Sequence, residues 1–239
     1  MKTSNKILWG AFAGILATAV IFLVALRSFL DQPVDIGGNV SGSTAVGSRE
    51  ITLSGFVAIN LQGNWQAELS RGDTTKIRVE GPEDLLATLS VKMQGESLTL
   101  RSIERRGEKH KLVLTVTMPE LHGVQTKGVA DLTIKHFETD RLSIRTEGVS
   151  NVRGYDSRVG TLDLKGRGVS RMRLVKVPAG DASLDFKGVF NVGLFMDGGE
   201  LTGSLKGVGE VRYRGKTGRI SIRQEGPCKI TREPEDNHV

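Results

Sequence analysis

Six short segments that begin with glycine return along the chain at a nearly constant interval. They read Gly128-Val129-Ala130-Asp131-Leu132, Gly148-Val149-Ser150-Asn151-Val152, Gly168-Val169-Ser170-Arg171-Met172, Gly188-Val189-Phe190-Asn191-Val192, Gly207-Val208-Gly209-Glu210-Val211 and Gly226-Pro227-Cys228-Lys229-Ile230. The intervals are 20, 20, 20, 19 and 19 residues. A period this constant in strand-like sequence implies repeats that bury apolar side chains only by stacking on their neighbours. The expected fold is therefore all-β: a single-stranded β-helix, or β-solenoid, with 19–20-residue coils and a right-handed sense.

Counting from each glycine sorts the other positions. Six and four residues before the next glycine stand Leu142 and Ile144, Leu162 and Leu164, Ala182 and Leu184, and Ile220 and Ile222. Four residues after each glycine stand Leu132, Val152, Met172, Val192, Val211 and Ile230, all apolar. The valines at plus one have the opposite parity to plus four, which requires a corner between them if both point inward. Gly128, Gly148, Gly168, Gly188, Gly207 and Gly226 are accordingly expected at the corner, with positive φ or with no room for a side chain.

Before the repeats lies a different kind of sequence. Lys2 and Lys6 precede an uncharged, mostly apolar run from Ile7 to Leu26 that ends at Arg27. Twenty helical residues reach roughly 30 Å, enough to cross a bilayer. No small-residue cleavage site follows, so residues 7–27 are expected to be an uncleaved transmembrane helix. The basic residues before the run place residues 1–6 in the cytoplasm and the C-terminal domain in the periplasm or outside the cell. The Gly- and Ser-rich stretch 31–49 is expected to be a flexible linker, 50–230 the folded domain and 231–239 a disordered tail.

Charge and cysteine usage narrow the partners. The formal net charge is +6, but Lys2, Lys6 and Arg27 supply half of it, leaving +3 spread over the remainder. That balance argues against nucleic acid, which needs basic residues concentrated on one face. A single cysteine, Cys228, excludes an internal disulfide.

From Ile51 onward short runs alternate at period two, including Val57, Ile59 and Leu61, then Trp65, Ala67 and Leu69, then Ile77 and Val79. Residues 83–93 permit a short helix after Gly81-Pro82, whereas Leu89, Val91 and Met93 alternate as a strand, and the neighbouring strands favour the strand. Arg105 to Lys111 read as a solvated loop, and Pro119 should end the strand Leu112 to Met118. These N-terminal strands are expected to continue the same stack with less regular coils.

With Gly55-Phe56, Leu69-Ser70-Arg71-Gly72-Asp73, Ile77-Arg78-Val79-Glu80-Gly81, Val116-Thr117-Met118-Pro119-Glu120-Leu121 and the glycine repeats, the chain resembles the putative auto-transporter adhesin family with a head GIN domain, found in bacterial envelope proteins. The resemblance covers about residues 50 to 230. Members typically show Gly-Ser-Gly-Asp-Ile in each coil; this chain keeps the first glycine and the final aliphatic but carries valine at most of the serine positions. The resemblance implies a fold and an adhesin-like role, and it transfers no catalytic residue.

Equivalent offsets in neighbouring repeats should form outward rows. Plus five contains Thr133, Arg153, Arg173, Gly193 and Arg212; minus three contains Arg145, Lys165, Asp185, Ser204 and Arg223. Arg153 with Arg173, and Arg145 with Lys165, are thus candidate ladders for an anionic envelope glycan or lipid headgroup, with an ordinary solvated face as the plainer reading. Catalytic motifs are missing: Asp163 and Asp185 occupy different offsets, and His110, His122, His136 and His238 lack metal-ligand spacing. Neither catalysis nor a metal or other cofactor is expected. The function read from the chain is a non-enzymatic, membrane-anchored envelope binding module whose partner is a glycan or another envelope protein. End-to-end self-assembly into a scaffold is the alternative, with a glycan-modifying enzyme a distant third.

Overall fold

The computed structural model describes residues 46–103 and 110–234. The described strands are β1 (Val46–Ile51), β2 (Ala58–Arg71), β3 (Lys76–Pro82), β4 (Ser90–Gln94), β5 (Ser97–Arg101) and β6 (Leu112–Met118), followed by β7 (Gly123–Lys135), β8 (Glu138–Tyr155), β9 (Arg158–Asp197), β10 (Glu200–Lys216), β11 (Arg219–Glu225) and β12 (Cys228–Arg232). One short helix, α1 (Glu83–Ala87), separates β3 from β4. The twelve strands form one sheet with the main path β1-β3-β6-β2-β7-β8-β9-β10-β11; β5 pairs with β2 and β4, and β12 pairs with β10.

This topology corrects the expectation of a single-stranded β-helix or β-solenoid. The sheet is mixed: β1 with β3, β3 with β6 and β4 with β5 are antiparallel, whereas β2, β7, β8, β9, β10 and β11 pair parallel along the path. The glycine period begins only at Gly128, and the chain before it uses short connections that favour reversal over crossover. At Gly95, with φ +56, the chain turns β4 directly back onto β5. The ambiguous stretch 83–93 divides between α1 and β4, with Leu85, Leu86 and Leu89 buried.

The expected membrane anchor and single-pass localisation are also corrected. No helix among the described residues is long and apolar enough to cross a membrane. The only described helix, α1, has five residues, roughly a quarter of the length that a bilayer requires. The apolar run 7–27, residues 1–6 and most of the proposed linker lie outside the described residues. Pairing begins at Val46, inside the stretch read as linker.

Within the parallel part, the 20-residue interval is the pairing register. Gly128 faces Gly148, Gly148 faces Gly168, and Gly188 faces Gly207. The column has a member the period did not reveal: Gly63 in β2 faces Gly128 across an insertion that carries β3 to β6. At Gly148 both demands on glycine are visible. Its φ is +112, and an added Cβ would collide with the carbonyl oxygen of Gly128 and lie 3.0 Å from that residue's carbonyl carbon.

The core consists of columns in the same register. Leu142 stacks on Leu162, Ile144 on Leu164, Val152 on Met172, and Val192 on Val211, all nearly inaccessible to water. Each such side chain contributes about 1.5–3 kcal/mol relative to an exposed one. Phe186 and Phe190 add a tilted ring pair with centroids 5.5 Å apart. Trp65 is buried in β2, where its indole Nε1 donates to the Gln62 carbonyl at 2.9 Å.

The plus-one valines do not point inward. Val129, Val149 and Val208 are 46%, 40% and 53% exposed, while the plus-two residues Ala130, Ser150, Ser170 and Phe190 are buried. Even offsets on both sides of the glycine therefore face the core. The buried polar members are satisfied among themselves: Thr146 Oγ1 and Ser170 Oγ share a hydrogen bond at 3.0 Å, and Ser150 Oγ donates to Ser170 Oγ at 3.4 Å.

Candidate functional site

Odd offsets from the glycine supply the outer surface of the parallel ladders. Register places Arg153 beside Arg173 and Arg145 beside Lys165. Their charges are treated very differently. Arg145 Nη2 and Lys165 Nζ each lie 3.9 Å from the same Asp163 Oδ2, so one carboxylate sits between the two cations of the minus-three row. Arg153 Nη2 donates to Asp131 Oδ1 at 2.7 Å, and Asn151 Nδ2 donates to the same oxygen at 3.2 Å. Arg173 is exposed, and its guanidinium opens onto a separate concavity.

A diagonal pattern runs through this face. A plus-five side chain reaches back to the plus-three side chain of the preceding repeat: Arg153 to Asp131, Arg212 to Asn191 at 3.4 Å, and Thr231 Oγ1 to Glu210 at 3.1 Å. Three of the five register pairs make this contact; Arg173 with Asn151 and Gly193 with Arg171 do not. In β9 the plus-three position is Arg171, a donor as Lys229 is in the last repeat, and the following plus-five position is Gly193, which has no side chain to donate.

The result is a notch of about 270 Å³ lined by Arg171, Arg173, Asn191, Gly193, Arg212 and Arg214, with Glu233 at its C-terminal edge. Gly193 keeps it open, since an added Cβ would already press on Val175 Cγ1 at 3.1 Å. Glu233 is held by its backbone N–H, which donates to the Tyr213 carbonyl at 2.8 Å. Its carboxylate bridges Arg212 Nη1 at 3.6 Å and Arg214 Nη2 at 3.4 Å. Arg212 Nε also lies 3.6 Å from Glu210.

Another concavity, about 890 Å³, lies elsewhere, over Arg71, His122, Glu138, Arg141, Arg158 and Asp197. Two of its arginines are paired: Arg158 Nη1 meets Asp197 Oδ2 at 2.7 Å, and Arg71 meets Glu138 at 3.7 Å. Among the described residues, no three of His, Cys, Asp and Glu form a group that could hold a metal ion. Cys228 is half-buried; burial pushes its thiol above the ordinary range, partly opposed by a backbone hydrogen bond at Gly207.

Among the notch residues, the sequence period identified Arg173 and placed Arg212 and Gly193 in its row. It did not isolate Arg171, Arg214 or Glu233. The available signal was the simultaneous loss of the acceptor at plus three and the donor at plus five in successive repeats, which becomes meaningful only once diagonal pairing is known. Fold and surface together describe an all-β protein with an outward face for polar contact. The chain belongs to the family of the putative auto-transporter adhesin, head GIN domain, whose model matches residues 55–232.

Solved structures share the fold at low identity. A putative adhesin from Bacteroides fragilis is 19% identical with a TM-score of 0.56, and the match covers 80% of this chain and 98% of that one. A putative lipid binding protein from Parabacteroides distasonis is 16% identical with a TM-score of 0.54, over the same shares of the two chains. Among curated proteins, no sequence matches the chain.

Proposed function

We propose that this protein is a non-enzymatic, adhesin-type binding module that acts outside the cytoplasm and takes an anionic envelope glycan on its outer face. The supporting observation is the register that aligns Arg145 with Lys165 and Arg153 with Arg173, so that residues about twenty apart in sequence present neighbouring cations. Adjacent paired strands lie about 4.8 Å apart, a spacing over which several anionic groups of one polymer can be met at once. Family membership supports the adhesin class.

Asp131 and Asp163 offset part of this charge. Ligand anions must therefore exchange with internal carboxylates, which favours binding distributed over many weak contacts and sensitive to salt. The test is retention of the protein on an immobilised acidic polysaccharide at low and physiological salt. The double variant Arg153→Ala, Arg173→Ala should elute at lower salt than the wild type. Unchanged elution would remove these rows from the function.

A further inference from the structure

We propose that the C-terminal end of the sheet is a dimerisation edge, at which β11 pairs antiparallel with β11 of a second copy of this chain about a two-fold axis through Ile222. This contact goes beyond the anion-binding reading and does not depend on it.

Two features of the end of the ladder point to a missing neighbour. β11 closes the strand path and pairs only with β10, and among the described residues no backbone group bonds to its outer edge. The core also stops there without a cover. On β10 the inward residues Leu201, Leu205 and Val211 are fully buried, whereas in the next layer Ile220 is 42% exposed and Ile222, Cys228 and Ile230 are half-buried. The opposite end of the path is closed by α1, which packs against β1 and β3 and buries Leu85 and Leu86. An open edge beside an uncovered apolar layer is a template for another strand.

The sequence of β11 selects the occupant. Opposed residues in an antiparallel pair share a face, so a two-fold axis must pass through one residue. Placed at Ile222, the axis overlaps all seven residues of β11 and opposes Arg219 to Glu225, Ile220 to Gln224, Ser221 to Arg223 and Ile222 to itself. Moved to Ser221 it opposes Arg219 to Arg223, and moved to Arg223 it opposes that arginine to itself; like charges directly opposite are destabilising. Axes further out overlap less than half of the strand. Arg219 is exposed and has no ion pair among the described residues, whereas Glu225 already meets Lys206 and Arg223, each at 3.1 Å. Pairing gives each Arg219 a carboxylate across the interface. Pro227, the residue type that interrupts a ladder, lies between β11 and β12 and outside both. Because both copies use the same edge, the contact is isologous and closes at two subunits instead of growing into a filament.

The test is sedimentation equilibrium of the full chain from about 1 to 100 μM, comparing wild type with Arg219→Glu. Circular dichroism checks that the variant is folded. Wild type should form a dimer and no larger species. Arg219→Glu, which sets two carboxylates face to face, should weaken that dimer about tenfold. Cysteine capture in a Cys228→Ser background reads the register. Mild oxidation should cross-link Ile222→Cys, whose Cα atoms lie about 4.5–5.5 Å apart across the axis. Ile220→Cys, more than about 13 Å from its own counterpart, should stay monomeric. Monomer at every concentration would overturn the proposal, as would assembly beyond the dimer, a dimer that Arg219→Glu leaves unchanged, or cross-linking that fails to favour Ile222→Cys. No ligand enters this experiment, so its outcome and that of the polysaccharide retention are read separately.

Discussion

Replacing Gly148 with alanine separates the two reasons for the glycine column, provided that Gly198→Ala is measured beside it. Both glycines have strongly positive φ, +112 and +103. They differ in surroundings: a Cβ at Gly198 would have nothing within 4 Å, whereas one at Gly148 would strike the backbone of Gly128. An L-residue forced into positive φ costs about 1–3 kcal/mol, and the lower entropy of alanine in the unfolded chain returns about 0.4–1 kcal/mol. Gly198→Ala should therefore lose about 1 kcal/mol. Gly148→Ala must in addition displace a neighbouring strand, which adds about 1–3 kcal/mol of overpacking, together with about 1 kcal/mol for a weakened ladder hydrogen bond. A total of about 3–5 kcal/mol is expected. In urea unfolding followed by far-ultraviolet circular dichroism, with m near 2–3 kcal/mol/M, that is a midpoint shift of about 1–2.5 M against about 0.3–0.5 M for Gly198→Ala. Equal shifts would refute the argument that close strand approach excludes a side chain.

Two other perturbations probe the surface. Asp163→Asn should strengthen retention on an acidic polysaccharide, because Arg145 and Lys165 lose their shared carboxylate, while stability should change by less than about 1 kcal/mol given the 3.9 Å separations; weaker retention would contradict the assignment. Cys228 should alkylate more slowly with iodoacetamide at pH 8 than an unstructured cysteine, since burial raises its pKa and leaves less thiolate at that pH. Its rate should rise to the unstructured value in denaturant, and equal rates in folded and unfolded protein would argue against the buried setting.

Much of the parallel ladder was legible because glycine spacing and apolar offsets repeat together. The minus-six, minus-four and plus-four residues Leu162, Leu164 and Met172 lie in the core as patterned, whereas Ile220 in the last repeat is 42% exposed. Plus two escaped notice because it alternates among Ala130, Ser150, Ser170 and Phe190, and buried hydroxyls that bond one another read as polar in sequence. The inward assignment of Val129, Val149 and Val208 failed for the converse reason: hydrophobic type alone does not fix burial, and these valines stand outside. Gly63 was invisible to a search at constant period because sixty-five residues separate it from Gly128. That same insertion carries the antiparallel strands, which explains why a uniform repeat was the wrong description of the whole. At the surface, Arg153 and Arg173 could be placed side by side, but the carboxylate claiming Arg153 and the glutamate entering from beyond β12 depend on three-dimensional pairing.

All these functional readings depend on one register, which places residues twenty apart as immediate neighbours. It can be measured by disulfide capture in a chain carrying Cys228→Ser. Val129 and Val149 are exposed and directly paired, whereas Val129 and Val169 are separated by the intervening strand. A disulfide needs Cα atoms within about 7 Å, so adjacent strands satisfy it and next-but-one strands, about 9.6 Å apart, do not. Under mild oxidation, Val129→Cys with Val149→Cys should close an internal bridge, and Val129→Cys with Val169→Cys should remain reduced. The opposite result, or equal bridging by both pairs, would contradict the register and with it the alignment of the arginines.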